Sequence, residues 1–286
     1  MPRALMNVRS RRLEGENKVP VRADEQMVKT GVAETIELAR ALIMEGRVLN
    51  GTNKIQKASD PVKKDAILTI KGEKDAYLSR GAKKLKRAFE VFGLDVRGKT
   101  CMDVGASTGG FTDVMLREGA KHVFSIDVGY NLLDYKLRSD PRVTCMERTN
   151  ARFLEKEMFA SAVEFGATDV SFISLKAVLP SIFAVLEKNA LFVALIKPQF
   201  EAQKEDVGEK GVVRRRDVHE SVIKMITDFV EEKGWTIEGL DYSPIRGPEG
   251  NIEFLLLIRN TSSARCRFED ATIDDVIDQA YDKFIK

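Results

Sequence analysis

The stretch Lys99-Thr100-Cys101-Met102-Asp103-Val104-Gly105-Ala106-Ser107-Thr108-Gly109-Gly110-Phe111-Thr112 constrains the fold of this chain more than any other. It reads as a short buried strand that breaks at glycines and hands over to a helix beginning near Phe111. Glycines let a backbone approach a ligand closely, and a helix N-terminus offers free N–H donors. Strand, glycine turn and helix therefore form the opening unit of many nucleotide-binding α/β folds.

Three chemistries compete for this turn, beside a purely structural bend. As a dinucleotide fingerprint it would read Gly105-x-Ser107-x-x-Gly110, with serine where the second glycine should admit a pyrophosphate. Gly105-Ala106-Ser107-Thr108-Gly109 satisfies the nucleophile-elbow pattern literally, and Asp169 and His219 follow in the chain order of an α/β-hydrolase triad. The third reading starts from Asp103, a strand-end acid before the glycines. It matches the D-x-G-x-x-x-G loop of methyltransferases, in which the glycines make room for the methionine part of S-adenosylmethionine.

With 286 residues, 43% hydrophobic and 31% charged, the chain suffices for one sizeable core and a small second domain. The net charge of +2 conceals an asymmetry: residues 1–80 hold 16 basic against 11 acidic side chains, and the remainder 30 against 33. The N-terminal part is the one suited to a polyanion. Cys101, Cys145 and Cys266 are odd in number and form no C-x-x-C pair, which argues against a disulfide framework or a structural metal site and for a reducing, cytoplasmic home. No apolar run is long enough to span a bilayer. Residues 1–19 lack periodicity and are expected as a disordered basic arm; Arg3, Arg9, Arg11 and Arg12 leave organelle targeting open.

From Val21 the pattern predicts a helix over 22–28 that breaks at Gly31, and a helix from Ile36 to Met44 capped by Thr35. Strands are expected at 47–49, closed by an Asn50-Gly51 turn, and at 66–70. Ser79 is expected to cap a helix over 80–92, whose Leu85, Ala88, Phe89 and Phe92 share one face. Further strands are read at 122–127, ending in Asp127, at 142–146, leading to Asn150, at 167–173, carrying Asp169, and at 190–198, reaching Lys197. In doubly wound folds an acid placed like Asp127, about twenty residues past the glycine turn, hydrogen-bonds a ribose. A glycine-bearing loop with Arg214-Arg215-Arg216, a helix over 218–233, an antiparallel strand pair at 235–242 and 252–259, and an amphipathic helix over 272–285 complete the chain.

Residues 20–74 resemble an S4 RNA-binding domain through Arg22-x-Asp24, Ala39-Arg40-Ala41-Leu42-Ile43, Gly46-Arg47-Val48 and Asn50-Gly51, with Lys57, Lys63 and Lys64 beyond. Lys84, Asp169, Lys197 and Glu253 match the Lys-Asp-Lys-Glu set of FtsJ-type ribose 2′-O-methyltransferases. The strings Tyr77-Leu78-Ser79-Arg80-Gly81-x-Lys83-Lys84-Leu85, Asp103 to Asp113, Asp169-Val170-Ser171-Phe172-Ile173-Ser174-Leu175, Lys197-Pro198-Gln199-Phe200-Glu201 and Gly247-Pro248-x-Gly250-Asn251-x-Glu253-Phe254 resemble the TlyA (hemolysin-like) family.

The resemblance implies a Rossmann-like α/β sheet, mostly parallel with its last strand antiparallel, behind a small α+β RNA-binding domain. Its parts would be an arm (1–19), the S4-like domain (20–74), a linker (75–79), the methyltransferase domain (80–260) and a C-terminal extension (261–286). It implies S-adenosylmethionine as cofactor, no metal, and cytidine 2′-O-methylation of ribosomal RNA, with ribosomal subunits as partners and homodimerisation open. Lys197 would draw the proton from the ribose hydroxyl, crowded by Lys84, while Asp169 and Glu253 orient the two amines. The cofactor would be lined by Asp103, Gly105, Ala106, Ser107, Gly109, Gly110 and Phe111, with Asp127 on its ribose and Asn150 near its adenine. RNA would meet Arg22, Arg40, Arg47, Lys57, Lys63, Lys64, Arg80, Arg214, Arg215 and Arg216.

The alternatives are a non-catalytic RNA-binding or ribosome-assembly protein and a serine hydrolase using Ser107. The hydrolase lacks a His-Gly-Gly string for an oxyanion hole. An N-methyltransferase would need Asp/Asn-Pro-Pro-aromatic where Asp169-Val170-Ser171-Phe172 stands.

Overall fold

Two units of chain, Met1–Ala76 and Tyr77–Lys286, close on separate cores in the computed structural model, which describes residues 20–33, 35–51, 53–64, 66, 68–70, 77–261 and 269–285. The expected basic arm and Cys266 lie outside the described residues.

In the first unit, β1 (Val21–Arg22) pairs antiparallel with β4 (Pro61–Val62), and β2 (Val48–Asn50) lies between β3 (Asn53–Lys54) and β5 (Leu68–Ile70). Helices α1 (Ala23–Lys29) and α2 (Ile36–Met44) pack together through Ala23, Met27, Ala39 and Ile43. Thr35 caps α2 as expected, its hydroxyl accepting from the Leu38 amide at 3.1 Å. Asn50, the last residue of β2, pairs with Asn53 and so opens the reversal into β3, in which Gly51 stands at φ +62°.

The second unit opens with α3 (Ala82–Phe92), β6 (Thr100–Val104), α4 (Gly110–Arg117), β7 (His122–Ile126), α5 (Tyr135–Arg138) and β8 (Val143–Met146). It continues with β9 (Val163–Thr168), α6 (Leu175–Val185), β10 (Leu186–Ile196), α7 (Pro198–Glu201) and α8 (Arg216–Glu232). It ends with β11 (Thr236–Tyr242), β12 (Phe254–Arg259) and α9 (Asp270–Phe284). Seven strands form one sheet in the order β11-β12-β10-β9-β6-β7-β8; β6 to β10 run parallel, and β12 is antiparallel to both neighbours.

The two-residue period of a strand divides this sheet's side chains between two cores. Along β10 and β12, Phe192, Ala194, Phe254 and Leu256 enter one core, and Val193, Leu195, Leu255 and Leu257 the other. Both faces are therefore covered, as a parallel sheet requires. From β6 the chain winds to β7 and β8 on one side, and then from β9 to β10 on the other. The crevice beyond the carboxyl ends of β6 and β9 is thus a topological switch point, where ligands bind in open α/β sheets.

Two local expectations are corrected here. Ser79 does not cap α3: the helix starts at Ala82 behind Gly81, no side chain caps it, and the Ser79 hydroxyl instead stands 2.1 Å from where a Cβ on Gly110 would lie. The fourth parallel strand begins earlier than expected, at Val163, and stops at Thr168, so Asp169 opens the loop beyond it. The C-terminal helix packs on the body, burying Ile273, Val276, Ile277 and Ala280 against α8 and β11.

Candidate active site

The glycine turn is shaped by close approach. Gly105, at φ +83°, has the backbone oxygen of Asp169 3.0 Å from where a Cβ would stand, and at Gly109, φ +95°, a Cβ would lie 2.1 Å from Leu137 Cδ1. Asp103 lies buried at the end of β6. Its Oδ2 accepts from the Thr112 amide at 2.8 Å and the Thr112 hydroxyl at 2.7 Å, tying the strand end to α4. Its Oδ1 is buried without a donor, while the residue lines the neighbouring cavity. Burial pushes the Asp103 carboxyl up to about 7, against the opposing pull of the Thr112 hydrogen bonds, with the charges of Asp169 and Asp127 adding to the rise.

That cavity, of about 720 Å³, is walled on one side by Gly105 to Thr108 and on the other by Lys84, Asp169, Lys197 and Glu253. The four polar side chains come from α3, the loop after β9, the end of β10 and the residue before β12. Lys84 Nζ lies 2.7 Å from Glu253 Oε2 and 3.1 Å from Asp169 Oδ2, and Lys197 Nζ lies 2.5 Å from Asp169 Oδ1 and 2.9 Å from Ser171 Oγ. Lys84, Lys197 and Glu253 are all more than nine-tenths buried. Two ammonium groups and two carboxylates neutralise one another, which is how charges persist out of water. Burial pulls the Lys84 ammonium down, but the carboxylates of Asp169 and Glu253 outweigh it and hold the group above its ordinary pKa. Asp169 is pushed up by burial and pulled further down by Lys84 and Lys197, and ends below the usual carboxylate range.

The surrounding motifs lock these groups in place. Glu201 accepts from the Ser174 hydroxyl at 2.6 Å and the Leu175 amide at 2.7 Å, fastening the Asp169 loop to α7. A Cβ on Gly247 would come within 2.7 Å of Glu253 Oε1. Asn251, itself buried, donates to the Gly211 carbonyl at 2.8 Å and accepts from the Val213 amide at 2.9 Å, drawing the loop before α8 to the cavity, where Lys210 and Gly211 form part of the wall.

Of the expected cofactor residues, Gly109, Asp127 and Asn150 are not in the cavity wall. Asp127 accepts from the Ser107 amide at 2.8 Å and the Gly129 amide at 2.7 Å, and Asn150 accepts from the Arg152 amide at 3.0 Å at the head of a short 3-10 turn. Arg22 and Arg40 both pair with the buried Asp24, at 2.7 and 3.0 Å, and the hydrogen bond from Arg22 brings that carboxyl down to about 2. Arg47 lies 3.3 Å from Glu45, whereas Lys57, Lys63 and Lys64 are exposed. Arg80, exposed on the cavity wall, donates to the Arg246 carbonyl at 2.8 Å. Arg215 pairs with Asp206 and Asp217, and Arg216 with Asp274 at 2.9 Å and Asp278 at 3.0 Å, which leaves Arg214 as the member of that trio without a carboxylate partner among the described residues.

No catalytic triad forms. Asp169 is engaged by two lysines, Ser107 makes its contact through its amide, and His219 is buried on α8 with Nδ1 2.9 Å from the Tyr281 hydroxyl. Burial brings the His219 imidazole down to about 4. Among the described residues no cluster of His, Cys, Asp or Glu side chains is arranged to hold a metal, and no helix is long and apolar enough to cross a membrane.

Phe172, Phe200 and Lys210 are among the wall residues to which the sequence assigned no role. Phe172 is 89% exposed at φ +62°, with its ring centre 5.0 Å from that of Phe200. Both aromatics lie inside quoted motifs, but their position at the cavity was not readable from spacing. Lys210, in a loop without periodicity, carried no signal at all.

Comparison with known proteins gives a consistent picture. A family model described as FtsJ-like methyltransferase matches residues 77–260. The chain is 41% identical over 239 residues to the Mycobacterium tuberculosis protein named 16S/23S rRNA (cytidine-2′-O)-methyltransferase TlyA, covering 83% of this chain and 89% of that one. It is 40% identical over 240 residues to hemolysin A of Brachyspira hyodysenteriae, covering 82% of this chain and 98% of that one. A solved hemolysin-like structure from Streptococcus thermophilus superposes with a TM-score of 0.74 at 42% identity, covering 93% of this chain and 98% of the other.

Proposed function

Because the chain belongs to the FtsJ-like methyltransferase family, in its hemolysin-like TlyA group, and S-adenosylmethionine is the methyl donor of that family, we propose that it methylates the 2′-hydroxyl of ribose in ribosomal RNA, at cytidine. The observation that carries this reading is the buried Lys84-Asp169-Lys197-Glu253 cluster facing the glycine turn across one cavity.

The residues present suit the cofactor. The donorless Oδ1 of Asp103 would meet the ammonium of its methionine part, and the wall formed by Gly105 to Thr108 with Gly110 and Phe111 offers close backbone approach. When bound, the cofactor supplies an electrophilic methyl group on a sulfonium sulfur. The protein must bring a ribose oxygen in line with that methyl and accept its proton. Lys84 is gripped by two carboxylates and Lys197 by one, so Lys197 is the amine that gives up its own proton to solvent more readily and, once neutral, accepts the proton of the ribose hydroxyl, while Lys84 stays charged and holds Asp169 in place. Asp169 would orient the hydroxyl. Much of the rate enhancement would come from holding oxygen and methyl in a near-attack geometry.

Phe172 projects at the mouth in a left-handed conformation that few non-glycine residues adopt. Such a ring serves as a platform on which the base of an extruded nucleotide can stack. The first unit, with exposed Lys57, Lys63 and Lys64, is assigned as an S4-type RNA-binding domain and residues 77–260 as the catalytic domain.

The test is methyl transfer from labelled S-adenosylmethionine to ribosomal subunits of a strain lacking the enzyme. The wild type should label the RNA, and Lys197→Ala should lose on the order of 10³-fold in rate while still binding cofactor. A non-catalytic RNA-binding protein would bind the subunits and transfer no label.

A further inference from the structure

A second cavity, of about 340 Å³, adjoins the catalytic one through a shared wall residue, Glu249. Its other walls come from Val212 to Arg214, from Arg246 and Ile252, and from Phe284 and Ile285 at the end of α9. Two arginines therefore line a space at the low end of the size range of organic-ligand pockets, about 300–1,000 Å³.

The arginines differ from their neighbours. Arg215 and Arg216 are neutralised by acids, whereas neither Arg214 nor Arg246 has a carboxylate within 4.0 Å among the described residues. Arg246 Nε is buried without an acceptor, and its guanidinium lies 5.2 Å from the centre of the Phe284 ring. An unpaired guanidinium with a buried donor is set up for an anion, and for a phosphate above all, because its planar fork matches phosphate oxygens.

We propose that this cavity is a subsite for the nucleotide next to the methylated one on the same RNA strand. Its phosphodiester would lie between Arg214 and Arg246, and its base or sugar against Phe284 and Ile285. The proposal rests on the RNA-methylation reading above. A ribose that enters the catalytic cavity brings its own phosphates with it, and a strand running from one space to the other would pass Glu249, the wall residue common to both. The two cavities are also mechanically joined. Asn251 holds Gly211 of the first wall and Val213 of the second with one side chain, and Tyr281 on α9 donates to the Arg214 carbonyl at 3.1 Å. The C-terminal helix, beyond the 77–260 family match, thereby becomes part of the RNA-binding surface. Glu249, the acid in this wall, would oppose the phosphate and weaken a contact that is otherwise attractive.

The experiment uses the full chain and ribosomal subunits from a strain lacking the enzyme, with KM for RNA measured at several salt concentrations and cofactor affinity by calorimetry. Arg214→Ala, at an exposed side chain, should raise KM about tenfold and flatten the slope of log K against log salt by about 0.7. Arg246→Ala should act in the same direction and Glu249→Gln in the opposite one, with the cofactor Kd within twofold of wild type for the two arginine variants. Unchanged KM and salt slope in Arg214→Ala overturn the subsite while leaving the methyltransferase reading intact. A wild type that methylates no RNA overturns both.

Discussion

Lys197 Nζ lies 2.5 Å from Asp169 Oδ1, and the other oxygen of the same carboxylate lies 3.1 Å from Lys84 Nζ. One acid thus sits between two amines, and a second acid, Glu253, lies behind Lys84 at 2.7 Å. Removing Lys84 leaves Glu253, which is 1% exposed, without its counter-charge. Lys84→Met should therefore destabilise the protein by about 3–5 kcal/mol as well as abolish transfer. Lys197→Ala should reduce transfer with a smaller loss of stability, because Asp169 keeps Lys84. Chemical denaturation alongside methyl incorporation separates the two outcomes.

If Asp103 receives the ammonium group of the cofactor as proposed, cofactor binding depends on pH. Its carboxyl is raised to about 7, chiefly by burial, so it is partly protonated at neutral pH, and only the ionised form attracts an ammonium group. Cofactor affinity should tighten as pH rises from 6 to 8, by at most about tenfold per unit below 7, and Asp103→Asn should flatten that dependence. Folding has the opposite sign. A carboxyl whose folded pKa exceeds its unfolded value contributes stability below the unfolded value, and that stability is lost as pH rises through about 7. Titration calorimetry and thermal melts across this range check both signs.

Gly105→Ala probes the contact between the glycine turn and the Asp169 loop. The new Cβ would stand 3.0 Å from the Asp169 carbonyl oxygen, at a φ of +83° that alanine disfavours. A cost of about 1–3 kcal/mol in stability is expected, together with weaker cofactor binding and slower transfer. The comparison position is Gly98, also at positive φ but with nothing within 4 Å of the added methyl. Gly98→Ala should carry the strain cost and leave cofactor affinity unchanged.

Phe172→Ala should leave stability within about 0.5 kcal/mol of wild type, since the ring is 89% exposed. If the ring stacks on a base, transfer to RNA should weaken by about 1–3 kcal/mol while cofactor affinity holds. Melting temperature, calorimetry and RNA kinetics on one preparation read all three quantities.

The strand ends of the second unit were legible because each buried strand combines an apolar run with a polar residue at its carboxyl end, as in Asp103 on β6 and Lys197 just past β10. A parallel sheet gathers those ends on one edge, where Glu253 at the start of the antiparallel β12 joins them, whereas Lys84 reaches the cluster from α3, whose placement the strand order does not give. Partners distant in sequence were not legible. Arg216 reads as an RNA contact within its arginine trio, yet it meets Asp274 and Asp278, some sixty residues on, once α9 folds back on α8. Asp127 shows its strand-end position in sequence but not the Ser107 and Gly129 amides that occupy it. Ser79 has the composition of a cap, but Gly110 leaves space for its hydroxyl and α3 starts three residues later.

The central claim is tested most directly by the chemistry of the product. Methylation at a ribose 2′-oxygen removes the nucleophile that alkali uses to cleave the adjacent phosphodiester, whereas methylation of a base does not. Ribosomal RNA labelled by the pure enzyme should, after alkaline digestion, carry its label in dinucleotides whose 5′ member is cytidine. Label recovered in mononucleotides, or no label in RNA at all, would contradict the account.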